Sequence, residues 1–159
     1  MKVLVATEKP FSKAAVDGIR TIVEEAGYEL ALLEKYTDVQ QFYDAVADAD
    51  ALIVRSDKVT KEVIDHANNL KIVVRAGAGF DNLDLAACTA KNIVAMNTPG
   101  QNSNAVAELA IGMMIYMARN TFKPGTGCEL SSKRVGIHAY GNVGRLVANK
   151  AKALGMEVW

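Results

Sequence analysis

Residues 72–79 read Ile-Val-Val-Arg-Ala-Gly-Ala-Gly: an apolar run, one cation, then a loop almost without side chains. The run does not alternate apolar with polar residues, as a strand with one wet face would. A strand buried on both faces reads this way, and helices on both faces of a parallel sheet bury such strands. Residues 51–54 (Ala-Leu-Ile-Val) repeat the pattern. Runs at 2–6, 28–33 and 93–96 supply three more strands, and between the strands lie helical spacings near 12–26, 39–48, 60–67 and 84–90. Ser12 stands where the first helix needs an N-cap. The pattern predicts a doubly wound, flavodoxin-like parallel-sheet α/β domain over residues 1–100.

The turn formers at 97–104 (Asn-Thr-Pro-Gly-Gln-Asn-Ser-Asn) mark a domain boundary and hinge. The following helix, 106–120 within a segment 102–120, has apolar residues nearly all the way round. A helix of that kind is expected to be buried on every side, between domains or between subunits. A strand at 134–139, a helix at 143–154 and the start of a strand at 156–159 come next. They predict the beginning of a Rossmann domain over residues 101–159. One βαβ unit leaves a sheet open. The chain is therefore expected to stop mid-domain, two such domains needing roughly 300 residues.

Lys plus Arg equals Asp plus Glu, 18 against 18. No global field draws in nucleic acid or an anionic membrane, so any anion site must be local. The N-terminus lacks the apolar core of a signal peptide, and no 18-residue apolar run exists. Cys88 and Cys128 lie far apart, without metal-ligand spacing. Inert thiols in a reducing, cytoplasmic compartment are the simplest reading.

In parallel α/β sheets, ligands sit at the carboxyl ends of the strands. Those ends carry Thr7-Glu8, Arg55-Ser56-Asp57, Arg75 to Gly79, and Asn97 to Gly100. The bare Ala76-Gly77-Ala78-Gly79 loop lets backbone N–H groups approach an oxyanion. Arg55 adds a bidentate grip and Ser56 a hydroxyl, so the set suits a small anionic substrate. The bland alternative carries equal weight on spacing alone: glycines that turn the chain, and arginines that are surface charge.

A second motif, Ala139-Tyr140-Gly141-Asn142-Val143-Gly144, follows a strand and opens a helix, as a dinucleotide fingerprint must. Gly141 would let the backbone meet a pyrophosphate, Gly144 would let helix and strand pack closely, and the amides near Asn142 and Val143 would face the anion. The first glycine of the pattern is Ala139 here, tolerable only with negative φ. The acidic residue that separates NAD from NADP would fall past Trp159. His138 is read as structural, having no visible orienting partner, and His66 as solvated. Glu108 is placed in the first turn of its helix, where its charge suits the positive end. Met113, Met114 and Met117 are read as packing. No metal site is read, and none of these residues is assigned a catalytic role.

Three strings, taken together, carry a resemblance: Arg75 to Asp84 (RAGAGFDNLD), Met96 to Gly100 (MNTPG) and Asn102 to Leu109 (NSNAVAEL), with Gly136 to Gly144 following in order. The chain resembles the D-2-hydroxyacid dehydrogenases along its whole length. Ile53 to Asp57 and Asn97 to Pro99 are similar to the phosphoglycerate dehydrogenase branch. The resemblance implies NAD as cofactor and a small anionic 2-hydroxy acid as substrate, 3-phosphoglycerate being oxidised to 3-phosphohydroxypyruvate on the way to serine. It implies substrate contacts from Arg55, Ser56, the amides of Ala76 and Gly77, and Asn102. Cofactor contacts fall to Ala78, Tyr140, Gly141, Asn142, Val143 and Gly144. Segment 102–120 resembles the element through which these enzymes form homodimers. The family's catalytic Arg, Glu and His, or Lys in some members, match nothing in this chain, so the 159 residues alone are expected to be inactive.

Other members of the family with a different 2-hydroxy acid remain open. So does a non-catalytic flavodoxin-like module for binding or dimerisation. A phospho-receiver of that fold would need acids after the first strand, an Asp ending the third and a Lys after the fifth. Arg55-Ser56 and Asn97-Thr98 stand at the last two places.

Overall fold

The computed structural model describes every residue from Met1 to Trp159. Two units divide the chain, Met1–Pro99 and Gly100–Trp159. In the first, β1 (Lys2–Thr7), β2 (Glu29–Glu34), β3 (Ala51–Val54), β4 (Ile72–Arg75) and β5 (Val94–Met96) form one sheet, order β2-β1-β3-β4-β5. Each pairing in it is parallel. The helices between them are α1 (Lys13–Glu25), α2 (Val39–Val46), α3 (Lys61–His66) and α4 (Leu85–Ala90). Ser12 caps α1 by accepting from the Ala15 amide at 3.3 Å. Asp38 and Gln41 close a capping box on α2, and Asp84 caps α4.

The strand order reverses direction at β1. Because parallel crossovers are right-handed, α1 lies on one face and α2, α3 and α4 on the other. The main core fills the second face: Leu4, Leu52, Val54 and Val73 of the sheet meet Phe42 and Val46 of α2, Val63 and Ile64 of α3, and Cys88 of α4. The expectation that helices bury both faces holds only in part. The face bearing α1 covers Val3 and Val5, yet Val94 and Met96 at the β5 edge are exposed within the chain. One helix is too narrow to span five strands.

The second unit holds α5 (Ser103–Ala118), β6 (Arg134–Val135), α6 (Asn142–Ala153) and β7 (Glu157–Val158), with β6 and β7 parallel. Ala107 and Ile111 of α5 pack against Val147 and Ala151 of α6 and against Met156. Two expectations need correction. Segment 102–120 is helical only to Ala118, because Asn120, Thr121 and Phe122 take left-handed φ of 52°, 54° and 59° and turn the chain. The strand expected over 134–139 pairs at only two residues, plus an Ile137 N–H bond to the Trp159 carbonyl at 2.9 Å, since β7 offers no further partner. Within its unit α6 covers one flank of helix α5, while Val106, Leu109, Met113, Tyr116 and Met117 are exposed, the flank that burial between domains or subunits would have to cover. Met114 packs against the core of this unit, while Met113 and Met117 lie on the exposed flank. No helix is long and apolar enough to cross a membrane.

Candidate functional site

In the first unit, the switch point lies between β1 and β3, where neighbouring crossovers depart to opposite faces. A cavity of about 490 Å³ opens there, lined among others by Glu8, Tyr36, Ser56, Asp57 and Lys58. Arg55 is exposed and its guanidinium makes no ion pair or hydrogen bond. Ser56 is exposed on the cavity wall. Both are thus free to meet a solute.

What holds this loop is Asp57, which is 6% exposed. Its Oδ1 accepts from the Glu8 amide at 2.7 Å and from the Tyr36 hydroxyl at 2.9 Å. Its carbonyl accepts from Asn82 Nδ2 at 2.7 Å. One residue thereby ties together the loops after β1, β2, β3 and β4. Burial, and next the Asp57 carboxylate, push the Tyr36 phenol well above its usual value and keep it a donor. Asp57→Ala leaves both Oδ1 donors without an acceptor. It is expected to destabilise the first unit by about 1–3 kcal/mol in all, since both bonds are part-buried and water can reach the donors. A urea titration of the two proteins checks this, and equal midpoints would show that the loops do not depend on Asp57.

The Ala-Gly-Ala-Gly loop differs from its expected use. The Ala76 N–H donates to the Val54 carbonyl at 2.8 Å, and the Gly77 N–H to the Arg75 carbonyl at 2.9 Å. The two amides implied as substrate contacts are therefore occupied, because Ala76 still continues the β3–β4 ladder. The next three N–H groups, of Ala78, Gly79 and Phe80, have no acceptor. Asn97 Nδ2 holds the Ala78 carbonyl at 2.8 Å, and the Thr98 amide holds that of Gly77 at 2.9 Å. With the carbonyls tied back, three successive amides are left as a concavity suited to an anion. Arg75 lies beneath it. Its Nε donates to the Arg55 carbonyl at 3.1 Å and its Nη1 to Asp81 Oδ1 at 2.8 Å. A Cβ on Gly79 would stand 2.5 Å from Arg75 Nη1, so the glycine makes room for the guanidinium.

In the second unit, Gly141 is the N-cap of α6 and a Cβ there would meet nothing within 4 Å. The N–H groups of Asn142, Val143 and Gly144 have no acceptor and no side chain caps the helix. An open glycine before three free amides at a positive helix end fits a dinucleotide pyrophosphate. Gly144 is required for packing: a Cβ would stand 2.4 Å from the Ala139 carbonyl oxygen. Tyr140 is 58% exposed, beside the amides. Ala78, the other implied cofactor contact, belongs to the first unit, with its amide free. Asn102 precedes α5, exposed, and makes no cap bond.

Three readings of this unit are corrected. Ala139 has φ 75°, not the negative value that would make alanine comfortable. The left-handed region costs a non-glycine residue roughly 1–2 kcal/mol, offset partly by the extra chain entropy of glycine. Ala139→Gly is accordingly expected to raise the stability of this unit by about 0.5–1 kcal/mol; a lower midpoint in thermal unfolding would contradict it. Glu108 lies in the second turn of α5 and not the first, and is engaged by Asn104 Nδ2 at 2.7 Å and Lys150 at 3.6 Å. His138 is exposed without a hydrogen bond, so it supports no packing. His66, by contrast, is exposed but stacks on Tyr43 with ring centroids 4.2 Å apart.

The model of the D-isomer specific 2-hydroxyacid dehydrogenases, catalytic domain, matches residues 7–155. The chain belongs to this family. A D-3-phosphoglycerate dehydrogenase of Methanocaldococcus jannaschii is 39% identical over 151 residues, covering 86% of this chain and 28% of that protein. A hydroxypyruvate reductase of Thermotoga maritima is 37% identical over 144 residues, covering 82% of this chain and 47% of that protein. Among solved structures, the NAD+-bound 3-phosphoglycerate dehydrogenase of Entamoeba histolytica superposes with a TM-score of 0.94 at 51% identity, over 99% of this chain and 52% of that one. The chain spans about half the length of that structure and less of the curated relatives.

Within this 2-hydroxyacid dehydrogenase chain, the sequence places Asp57 and Arg75 at ligand-bearing strand ends without marking a role for either, and it does not single out Asn82. A buried acid leaves no mark in sequence, since its burial and its donors come from four separate loops. Arg75 could have been suspected: glycines at two and four residues beyond it provide the space that its side chain fills.

Proposed function

We propose that this chain supplies the substrate side, and the opening of the cofactor side, of a dehydrogenase that oxidises 3-phosphoglycerate to 3-phosphohydroxypyruvate with NAD in serine biosynthesis. The observation that carries this reading is the row of free amides at Ala78, Gly79 and Phe80 over the Arg75 guanidinium, with the unpaired Arg55 one strand away. A substrate with two anionic groups needs two such grips. The amide row would seat one group, and Arg55 with Ser56 the other. The names of the relatives from Methanocaldococcus jannaschii and Entamoeba histolytica support the phosphorylated substrate.

NAD, when bound, would accept the hydride from the carbon that bears the substrate hydroxyl. The chain would contribute orientation: Ala78 on the substrate side, Tyr140 and the amides of Asn142 to Gly144 at the pyrophosphate. None of its residues takes the hydroxyl proton, because none matches the family's acid/base. The exposed apolar flank of α5, with Leu109, Met113 and Met117, would bury against the same helix of a second copy to make a homodimer. The unpaired thiols of Cys88 and Cys128 suit a cytoplasmic setting.

The purified 159-residue protein is expected to give no NADH from NAD and 3-phosphoglycerate, while still binding the substrate anion. Absorbance of NADH, together with calorimetric titration by 3-phosphoglycerate and by hydroxypyruvate, tests both halves. Turnover would overturn the assignment of no catalytic residue. Binding of hydroxypyruvate in preference to the phosphorylated acid would move the reading toward the Thermotoga relative.

A further inference from the structure

Arg55 and Ser56 carry exposed side chains on a backbone held from both sides. On the β3 side, the Val54 carbonyl accepts from the Ala76 amide at 2.8 Å and the Arg55 carbonyl from Arg75 Nε at 3.1 Å. On the far side the hold passes through Asp57. Its carbonyl accepts from Asn82 Nδ2 at 2.7 Å, and its Oδ1 accepts both the Glu8 amide and the Tyr36 hydroxyl. Oδ2 is buried with no hydrogen-bond partner. The whole carboxylate therefore rests on two donors meeting at one oxygen. A buried carboxylate short of donors is costly, and it turns toward water when it loses one.

Of the two donors, the Glu8 amide belongs to the backbone after β1 and is present whatever the side chain. Tyr36 is a side-chain choice, and the chain bends to deliver it. Lys35, just after β2, has φ 56°, in the left-handed region that a lysine rarely enters. Its N–H donates to the Thr7 carbonyl at 3.0 Å, so the turn is fixed to the end of β1. The Tyr36 ring then packs on Phe42 of α2, ring centroids 5.5 Å apart, and against the main core. A ring fixed by the core carries its hydroxyl to Asp57, 21 residues away in sequence. Backbone strain kept beside such a contact marks a group whose place matters.

We propose that Tyr36 is a positioning residue for the substrate: through Asp57 its hydroxyl fixes the place of Arg55 and Ser56, and so sets the affinity for a phosphorylated acid. This rests on the reading of Arg55 and Ser56 as the substrate's second grip. Holding the dipeptide in the free protein removes an ordering cost that binding would otherwise meet. The Tyr36 hydroxyl is spent on Asp57, so its effect on the substrate is exerted without contact.

Tyr36→Phe deletes the hydroxyl and keeps the ring on Phe42, so amide spectra of the variant should stay dispersed. In the free 159-residue chain, ¹⁵N relaxation should show a fall in order at Arg55 and Ser56, with Ala78, Gly79 and Phe80 unchanged. Calorimetric titration with 3-phosphoglycerate should show binding weakened by roughly three- to tenfold. Combined with Arg55→Ala, the loss should fall well below the sum of the two single losses, since Tyr36 acts through that arginine. Tyr43→Phe takes from the same cavity wall a hydroxyl that gives Asp57 no bond, and should change neither measurement. Unchanged order at Arg55 and Ser56, or an affinity loss that adds in full to that of Arg55→Ala, would overturn the proposal. A lower unfolding midpoint with order and affinity intact would overturn it too, leaving Tyr36 a structural residue only. If the parent chain binds no 3-phosphoglycerate while the order at Arg55 and Ser56 still falls, the substrate reading fails and the hold of Tyr36 on the dipeptide stands.

Discussion

Gly144→Ala is expected to unfold or badly loosen the second unit while leaving the first intact. The added Cβ would stand 2.4 Å from the Ala139 carbonyl oxygen and 3.2 Å from Ile137 Cγ2. A backbone oxygen cannot swing aside as a lysine tip can. Ala139 is already at φ 75°, so relief by further backbone rotation is costly. Overpacking of this kind typically costs about 1–3 kcal/mol, and more where the obstacle is rigid. This unit rests on the small α5–α6 core around Ala107, Ile111, Val147, Ala151 and Met156, with little reserve. Differential scanning calorimetry should therefore show the loss of one transition, and amide spectra should keep the dispersed signals of residues 1–99. Retention of the full second-unit spectrum would mean that β6 and α6 part more easily than their close packing indicates. Gly141→Ala serves as the comparison, since open space surrounds its Cβ position and its φ of −81° suits any residue.

Arg55→Ala is expected to act on binding and not on folding. The side chain is exposed and unpaired, so its removal costs the fold little. In a full-length dehydrogenase carrying these residues, the KM for 3-phosphoglycerate should rise by roughly ten- to a hundredfold, since hydrogen bonds to a charged group are worth about 1.5–3 kcal/mol. The KM for NAD should stay put. Arg55→Lys should recover only part of the loss, a point charge lacking the planar fork. Steady-state kinetics at several phosphoglycerate concentrations decides the matter, and an unchanged KM would remove Arg55 from the site.

The two variants also separate what differs between the units. The first draws its stability from a core reached by five strands and three helices, so its carboxyl-edge loops can carry exposed arginines without penalty. The second has two paired strands and two packed helices, and each close approach in it matters more.

Much of this was open to reading in one dimension. The strands read at 51–54 and 72–75 are β3 and β4 to the residue, because a strand buried among neighbours carries an apolar run, here Ala51–Val54 and Ile72–Val74. Ser12 declared its helix, since a cap acts within three residues of itself. The fingerprint's place between β6 and α6 was likewise a local matter. What tertiary structure alone decided is which polar groups are spent and which are free. The sequence of the 76–79 loop marked it for anion binding, but only the β3–β4 pairing removes the Ala76 amide and leaves those of Ala78, Gly79 and Phe80. Asp57 looked like one more acid in a loop, until four loops brought their donors to it. The negative φ that Ala139 would prefer gave way to packing at Gly144, because the chain must turn between a strand and a helix already in contact. Periodicity and capping are set by neighbours along the chain, whereas a hydrogen bond's availability depends on partners that sequence separation does not reveal.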